Sequence, residues 1–203
     1  KQVALITDAG TPAVSDPGAR AVARVQDAGF PVVPVPGASA VITALSASGL
    51  ADGHFHFHGF LPTKSAARRA SLESLRSVPG TLVFYEAPHR IAETLDDLAA
   101  VFEPVRELVV ARELTKMFEQ IVRMPITEGP AWLAADPNRA RGEFVLLVSA
   151  APVAEGLSPE AERVLGLLLA ELPVKQAAKL AAGITGESKN ALYERALAMR
   201  DEG

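Results

Sequence analysis

Short apolar runs alternate with longer amphipathic segments along most of the chain, and this alternation predicts an α/β protein. Residues 3–6 and 31–35 are apolar runs too short for helices, and each leads into a loop of glycine, proline and small polar residues. After each loop comes an apolar segment that we expect to be a helix, over residues 19–28 and 40–48, and a glycine ends each segment. Two strand–loop–helix units in succession predict a parallel sheet whose loops bind a ligand at the carboxyl edge.

The pattern changes after residue 58. Residues 59–63 read Gly-Phe-Leu-Pro-Thr, which is typical of a hinge between two lobes. Apolar periodicity beyond the hinge predicts helices over residues 64–77, 91–102 and 127–135. The strands predicted between these helices cover residues 81–85, 105–111, 118–124 and 144–149.

The last fifty residues predict helices alone, over residues 158–172, 174–182 and 187–199, with a glycine-containing turn at 183–186. The second and third helices have the outline of a helix-turn-helix unit. Its residues that we expect to face nucleic acid are Lys175, Lys179, Lys189, Asn190 and Arg195. A small three-helix cap or an oligomerisation module is an equally good interpretation.

Composition narrows the class of protein. Of the 203 residues 49% are hydrophobic, which favours packed layers over disorder, and no apolar run approaches the length that spans a membrane. The chain has no cysteine, which excludes disulfides and thiolate metal sites and fits a cytoplasmic protein. Because Lys1-Gln2 leads directly into a predicted strand, we expect the N-terminal part of a larger protein to be missing.

The first two loops are the candidate ligand site. Residues 7–18 and 36–39 contribute backbone amides, small hydroxyls and one carboxylate, Asp8, and Gly37 lets a ligand approach the backbone. Such a crevice suits a nucleotide-like ligand, although neither a dinucleotide fingerprint nor a P-loop is present. The alternative is an ordinary turn between strand and helix, with Ser15 or Asp16 as the N-cap.

Two mixed-charge clusters follow predicted strands, at residues 85–90 and 112–116. Arginine and lysine there suit phosphates, and histidine and glutamate suit hydroxyls or protons; surface ion pairs explain the clusters equally well. Alternating histidines at 54, 56 and 58 share one face of a predicted strand. We interpret that pattern as a half-buried strand rather than a metal site.

Five motifs occur in a fixed order: Asp-Ala-Gly-Thr-Pro-Ala-Val-Ser-Asp-Pro-Gly at 8–18, Val-Pro-Gly-Ala-Ser-Ala at 35–40, Gly-Phe-Leu-Pro at 59–62, Tyr-Glu-Ala-Pro-His-Arg at 85–90 and Ala-Arg-Glu-Leu-Thr-Lys at 111–116. Together they resemble the ribosomal RNA small subunit methyltransferase I family, a branch of the tetrapyrrole methylase superfamily. Two segments of the tail, at residues 175–182 and 188–193, also resemble this family. The family's opening strand with its Pro-Ile-Gly-Asn-Leu type loop, and its Glu-Asp-Thr-Arg type segment, are not found.

The resemblance implies a two-lobed α/β fold with a helical tail. Residues 1–58 would be the remainder of an N-terminal Rossmann-like lobe, with an incomplete parallel sheet. Residues 59–150 would be a second lobe with a mixed sheet, and residues 151–203 a C-terminal helical module. In this family the enzyme uses S-adenosylmethionine to methylate the ribose 2′-hydroxyl of a cytidine in bacterial 16S rRNA, without a metal. The resemblance also implies a homodimer that acts on the 30S ribosomal subunit.

Site residues follow by the same resemblance. The residues expected to bind the cofactor are Asp8, Gly10, Thr11, Pro36, Gly37, Ala38, Ser39, Leu61, Tyr85 and Gly142. Those expected to face the RNA are Glu86, His89, Arg90, Arg112, Glu113 and Lys116. A ribose hydroxyl is a poor acid, so a base would assist, and the unranked candidates are Glu86, His89 and Asp8.

Two other functions are compatible with the same residues. A tetrapyrrole C-methyltransferase would use the same cofactor on a corrin precursor, but its usual Gly-Asp-Pro loop is replaced here by Asp-Ala-Gly-Thr-Pro. A non-catalytic RNA-binding or assembly module is the alternative from another class.

Overall fold

A mixed β-sheet lies at the centre of the first part of the molecule. The computed structural model describes residues 2–8, 10–50, 53–152 and 156–201. For Asp201 it describes only the backbone. The described residues belong to two compact units, Lys1–Pro152 and Val153–Gly203. In the first unit the described sheet contains β1 (Phe55–Phe60), β2 (Thr81–Glu86), β3 (Glu107–Arg112), β4 (Gln120–Pro125) and β5 (Phe144–Val148).

The strand order is β1-β2-β5-β3-β4, with β1 parallel to β2 and every other pair antiparallel. Glu86 pairs with Phe144, which also pairs with Arg112, and Arg112 pairs with Gln120. The carboxyl ends of β1, β2 and β3 and the starts of β4 and β5 therefore share one edge, named here the carboxyl edge. The four strands predicted after residue 80 are confirmed, with ends that differ by at most two residues.

Helices cover both faces of the sheet. Alternate strand residues such as Leu82 and Phe84 pack with α3 (Ser65–Leu75), α4 (Ile91–Val101) and α5 (Gly129–Ala134). The residues between them, such as Val83, pack with Val41 and Ala44 of α2 (Ala40–Ser48). Short 3-10 helices, Ile126–Glu128 and Pro137–Ala140, flank α5. The predicted boundary between residues 58 and 59 falls inside β1, so the division into two lobes there stays a prediction.

The N-terminal segments depart from the predicted pattern. Residues 3–6 and 31–35 are not strands, and Val3, Val33 and Val35 are largely exposed. An extended segment becomes a strand only through a hydrogen-bonded neighbour, and neither segment pairs with a strand in the described chain. The helix α1 (Ala19–Asp27) forms as predicted, but none of its residues is buried.

A buried ion-pair network joins α3 to α4. Arg68 donates through Nε to Asp97 Oδ2 at 2.6 Å and through Nη2 to Glu93 at 3.1 Å, and Arg69 donates to the other Asp97 oxygen. Burial alone raises the pKa of Asp97, but the hydrogen bonds from Arg69 and Arg68 bring it below its usual value. These charges hold two helices together and lie outside the predicted site.

The second unit is a three-helix module of α6 (Pro159–Leu169), α7 (Val174–Thr185) and α8 (Lys189–Asp201). Its core consists mainly of alanine and leucine, and Leu180 lies outside that core, at 48% exposed. The turn predicted at 183–186 lies instead at 186–188, because α7 continues to Thr185 and α8 begins at Lys189. Gly186 ends α7 with a φ of 77°.

The described helices include none that is both long and apolar enough to cross a membrane.

Candidate active site

Two glycine-containing loops meet beside the sheet. Thr11 donates through its hydroxyl to the carbonyl of Ala38 at 3.1 Å, which joins the loop at 10–18 to the loop at 36–39. A Cβ on Gly10 would lie 3.5 Å from that carbonyl, and one on Gly37 would lie 3.7 Å from the Thr11 hydroxyl. The structure therefore brings together four of the predicted cofactor residues, Gly10, Thr11, Gly37 and Ala38, and leaves them exposed.

The remaining loop residues lie around this contact. Asp8 is exposed and lines an open hollow of about 390 Å³ together with residues 5–7 and 16–18. Pro36 is exposed, and Ser39 is the N-cap residue of α2 but makes no side-chain capping bond. The first loop is strained, because Ala13 and Ser15 have φ values of 68° and 55°.

Tyr85 connects these loops to the sheet. Its ring packs edge-on against Phe57 at 4.9 Å and Phe60 at 5.7 Å between centroids. Burial raises the pKa of Tyr85, and a hydrogen bond with the backbone of Val41 partly offsets this. Val41 lies in the first turn of α2, two residues after the 36–39 loop, so this contact places the Tyr85 hydroxyl near that loop. Leu61 is only 2% exposed and packs in the core, which leaves it little surface for contact with a ligand.

The motif at 85–90 forms a buried group that we name the Glu86 cluster: Glu86, Thr94 and Arg90, with the carbonyls of Leu61 and Pro62. The Glu86 side chain is fully buried, and its carboxylate accepts from the Ala87 amide at 2.8 Å and the Thr94 hydroxyl at 2.7 Å. Arg90 Nε lies 3.3 Å from the same carboxylate. The Arg90 Nη2 group donates to the Leu61 carbonyl at 2.6 Å and the Pro62 carbonyl at 3.2 Å. The Glu86 cluster thus joins the ends of β1 and β2.

The motif at 112–116 forms a more exposed group, the Lys116 cluster: Glu113, Lys116 and Glu143, packed over Gly142. Lys116 Nζ donates to Glu113 Oε1 at 3.0 Å and to Glu143 Oε2 at 2.9 Å. The same Glu113 oxygen accepts the Glu143 amide at 3.0 Å. Hydrogen bonds from Lys116 and from the Glu143 backbone lower the pKa of Glu113. Gly142 has a φ of 99°, and a Cβ there would lie 2.4 Å from the Glu113 side chain.

The two other predicted RNA residues differ in their surroundings. Arg112 donates through Nε to the Arg141 carbonyl at 2.6 Å and through Nη1 to the Phe118 carbonyl at 3.4 Å. His89 is exposed at the carboxyl edge, one residue before Arg90. Strand register thus brings the 85–90 and 112–116 motifs to one edge of the sheet, although most of their charges have partners within the protein.

The alternating histidines are only partly aligned. β1 begins at Phe55, after His54, and its register shifts between Phe57 and Gly59. His56 and His58 lie 6.3 Å apart between ring centroids, and His58 approaches the Ser71 hydroxyl at 3.3 Å. Burial, with a smaller contribution from His56, lowers the pKa of His58. Within the described ranges no group of three or more histidine or acidic side chains is placed to hold a metal ion.

Sequence reasoning missed Thr94 and Glu143, which complete the two clusters. Thr94 lies one turn into α4, and a polar residue on the buried face of an amphipathic helix was the available signal. Glu143 was visible only as a charge after a glycine, and its role depends on the antiparallel pairing of β5 with β3.

Comparison with known proteins identifies the class. Residues 1–129 match the family model of Tetrapyrrole (Corrin/Porphyrin) Methylases, and residues 155–200 match that of the RsmI C-terminal HTH domain. Among solved structures the methyltransferase CobJ has a TM-score of 0.52 at 22% identity, covering 70% of this chain and 62% of CobJ. Cobalt precorrin-4 methyltransferase CbiF also has a TM-score of 0.52, at 16% identity, over 69% of this chain and 61% of CbiF. The fold is that of a tetrapyrrole methylase.

Curated relatives narrow this class to one family. The chain is 54% identical over 200 residues to ribosomal RNA small subunit methyltransferase I of Pseudomonas aeruginosa, covering 97% of this chain and 71% of that protein. It is 49% identical over 199 residues to the protein of the same name from Haemophilus influenzae, covering 97% and 70%. The chain belongs to the ribosomal RNA small subunit methyltransferase I family.

Proposed function

We propose that this protein transfers the methyl group of S-adenosylmethionine to the ribose 2′-hydroxyl of a cytidine in 16S rRNA, within the 30S subunit. The family and the names of its curated members support rRNA methylation. The observation that carries the proposal is the meeting of the 10–18 loop, the 36–39 loop and Tyr85 beside the carboxyl edge. A homodimer in the cytoplasm is part of the proposal and rests on the resemblance alone.

The residues at this junction fit the cofactor. Gly10 and Gly37 lack side chains where the two loops touch, which leaves their backbone open to a ligand. Hydroxyls of Thr11 and Ser39 and the carboxylate of Asp8 offer the polar groups that ribose and amino-acid moieties need. Pro36, Ala38 and Tyr85 complete the proposed binding residues, whereas Leu61 is buried and its carbonyl accepts from Arg90. Gly142 instead serves the Lys116 cluster, because the Glu113 side chain covers it.

Alignment of the two reactants supplies most of the catalysis. When bound, S-adenosylmethionine supplies a methyl group already activated by its sulfonium, so the protein has to hold the ribose hydroxyl in line with it. His89 and Asp8 are exposed and remain the candidates for accepting the hydroxyl proton. Both oxygens of Glu86 already accept hydrogen bonds inside the protein, so Glu86 positions the strand ends rather than acting as the base.

Two separate regions are proposed to contact RNA, the 112–116 loop of the first unit and the helix-turn-helix residues of the second unit. Arg112, Glu113 and Lys116 lie at the carboxyl edge, and Arg90 is reassigned from phosphate binding to the Glu86 cluster. In the tail, four of the residues predicted to face nucleic acid are exposed, Lys175, Lys179, Lys189 and Asn190. Arg195 pairs with Glu162 at 2.9 Å, so part of its charge stabilises the module.

The decisive experiment measures transfer of a tritiated methyl group from labelled S-adenosylmethionine to 30S subunits by the full-length protein. We expect transfer to 30S subunits and none to a uroporphyrinogen-like acceptor. Labelling of the acceptor alone would instead support a tetrapyrrole methyltransferase, and no cofactor binding in calorimetry would support a non-catalytic module.

A matched pair of variants tests the cofactor site. Gly37→Val places a side chain at the loop junction, where the nearest protein atom to a new Cβ is 3.7 Å away. Gly53→Val places the same side chain in open space. We expect calorimetry to show loss of cofactor binding for the first variant only, and equal binding by both would remove the 36–39 loop from the site.

Deletion of residues after Pro152 tests the role of the tail. The first unit has its own core, so we expect cofactor binding to persist and methylation of 30S subunits to fall. Methylation at the parental rate would show that the tail is a stability or dimerisation element.

A further inference from the structure

The loop that carries the Lys116 cluster also displays two large apolar side chains. Met117 is 90% exposed and Phe118 is 67% exposed, and they are neighbours in sequence. Their loop connects the end of β3 to the start of β4, at the carboxyl edge. Burial of a phenylalanine side chain contributes about 1.5–3 kcal/mol. Exposed Met117 and Phe118 can therefore gain free energy by binding a ligand that covers them.

The loop holds this pair in place through its own hydrogen bonds. Glu113 and Thr115 both adopt left-handed backbone conformations, with φ values of 51° and 65°. The Thr115 amide donates to the Glu119 carboxylate, and the Lys116 amide donates to the Glu113 carbonyl at 3.0 Å. Arg112 donates to the carbonyl of Phe118 itself. Because these hydrogen bonds restrain the loop, binding to it costs less conformational entropy than binding to an unrestrained loop.

The small size of the exposed apolar surface favours RNA as the partner of this loop. Lys116 and Glu119 flank the pair in sequence. The charges of Arg112, Lys116 and Arg141 are balanced by those of Glu113, Glu119 and Glu143, so charge alone does not select the partner. Two side chains on a loop also offer much less than the roughly 800 Å² that each partner buries in a stable protein interface. A single unpaired base needs no larger platform, and stacking on an aromatic ring contributes about 1–3 kcal/mol.

We propose that Phe118, with Met117 beside it, stacks on an unpaired base of the rRNA close to the nucleotide that is methylated. This inference rests on the proposed function, since it places the RNA at the carboxyl edge. Stacking there would splay the target strand across the edge, in the way that proteins commonly read single-stranded RNA.

Methylation kinetics with 30S subunits test the proposal. Phe118→Ala should lower kcat/KM for 30S subunits by about 5- to 150-fold, which corresponds to the loss of about 1–3 kcal/mol of stacking. Phe118→Trp should retain the parental rate, because a larger ring stacks equally well. The matched control is Phe30→Ala, because Phe30 is 66% exposed and belongs neither to this loop nor to the proposed cofactor residues. Cofactor affinity should not change in any of these variants.

A fluorescence measurement reports directly on contact between the residue at position 118 and an RNA base. Trp132 is the only tryptophan of the chain, so Phe118→Trp adds one new signal. We expect an oligocytidine RNA to quench the added fluorescence and an abasic oligomer of the same length to leave it unchanged.

The outcomes separate the two proposals. If the parent protein transfers no methyl group to 30S subunits, the proposed function fails. If the parent is active and Phe118→Ala matches it, stacking is wrong while the function stands. A change of oligomeric state in Phe118→Ala, seen by sedimentation, would make this surface a subunit interface and overturn the RNA assignment.

Discussion

The Glu86 cluster and the Lys116 cluster are two mixed-charge groups at neighbouring strand ends, and they differ in burial. In the first, the Glu86 side chain is 0% exposed and Arg90 is 14% exposed. In the second, Lys116 is 47% exposed and Glu143 is 81% exposed. Similar residue types at equivalent places in the sheet therefore serve different purposes.

The difference follows from what each group contacts. Arg90 satisfies two backbone carbonyls and a buried carboxylate, and such charges are costly to leave without partners. Lys116 bridges two carboxylates in water, where each ion pair contributes little to stability. The Glu86 cluster thus holds the framework, and the Lys116 cluster shapes a surface loop.

Removal of the Glu86 carboxylate should have the largest effect. Glu86→Ala leaves Arg90 with an unpaired charge and Thr94 with an unpaired hydroxyl, so we expect a loss of about 3–5 kcal/mol in the free energy of unfolding. Glu143→Ala, the control in the exposed cluster, should cost less than about 1 kcal/mol. Urea unfolding measures the stability of both variants. Equal losses would show that the two clusters contribute equally to stability.

Replacement of Arg90 by lysine separates shape from charge. Arg90→Lys keeps a positive charge but loses the fork that reaches Glu86 and the Leu61 carbonyl together. We expect a loss of about 1.5–3 kcal/mol by urea unfolding, since hydrogen bonds to charged groups contribute that much. A variant as stable as the parent, with unchanged RNA binding, would instead support the phosphate contact predicted from the sequence.

A Cβ on Gly142 should disturb the exposed cluster by a smaller amount. Gly142→Ala combines a φ of 99° with a close approach to Glu113, so we expect a loss of about 1–3 kcal/mol and a slower methylation of 30S subunits. Gly53→Ala is the control, because nothing lies within 4 Å of a Cβ there. Thermal unfolding of the two variants decides whether the contact between Gly142 and Glu113 matters.

The smallest effect is the pH dependence of the Lys116 cluster. The pKa of Glu113 is lowered in the folded protein, so its contribution to stability is present above the ordinary value of 4.5 and is lost as pH falls through the folded value. At pH 7 the free energy of unfolding of Glu113→Gln should therefore be lower than that of the parent by less than about 1 kcal/mol. At pH 2 the two proteins should be equally stable. A difference that grows as pH falls would contradict this assignment.

Much of the fold could be predicted from local pattern, because the strands after residue 80 and the helices α2 to α4 have strong periodicity and clear glycine or proline boundaries. Residues 3–6 and 31–35 could not be placed in this way. Their apolar pattern is that of a buried strand, but strand formation depends on a neighbour elsewhere in the fold.

The candidate site was predictable in position but not in detail. The loops at 10–18 and 36–39 were recognisable from their glycines, and the structure brings them into contact. Arg90 is largely buried and Lys116 is exposed. This difference depends on strand register and on the burial of Thr94 and Glu86, which sequence spacing does not encode. Phe118 was expected to begin a strand, and its exposure follows from the later start of β4, at Gln120, whereas Met117 was assigned to no element.

The position of β5 has a consequence for how the protein folds. β5 is the last strand of the described sheet to be synthesised, yet it lies between β2 and β3 and hydrogen-bonds to both. At roughly 5–20 residues per second, the ribosome takes a few seconds to proceed from the end of β3 to the end of β5. Throughout that interval β2 and β3 each lack the partner that closes the sheet, and their unpaired backbones are open to other chains. The nascent protein therefore exposes these two strand edges until β5 is available to pair with both.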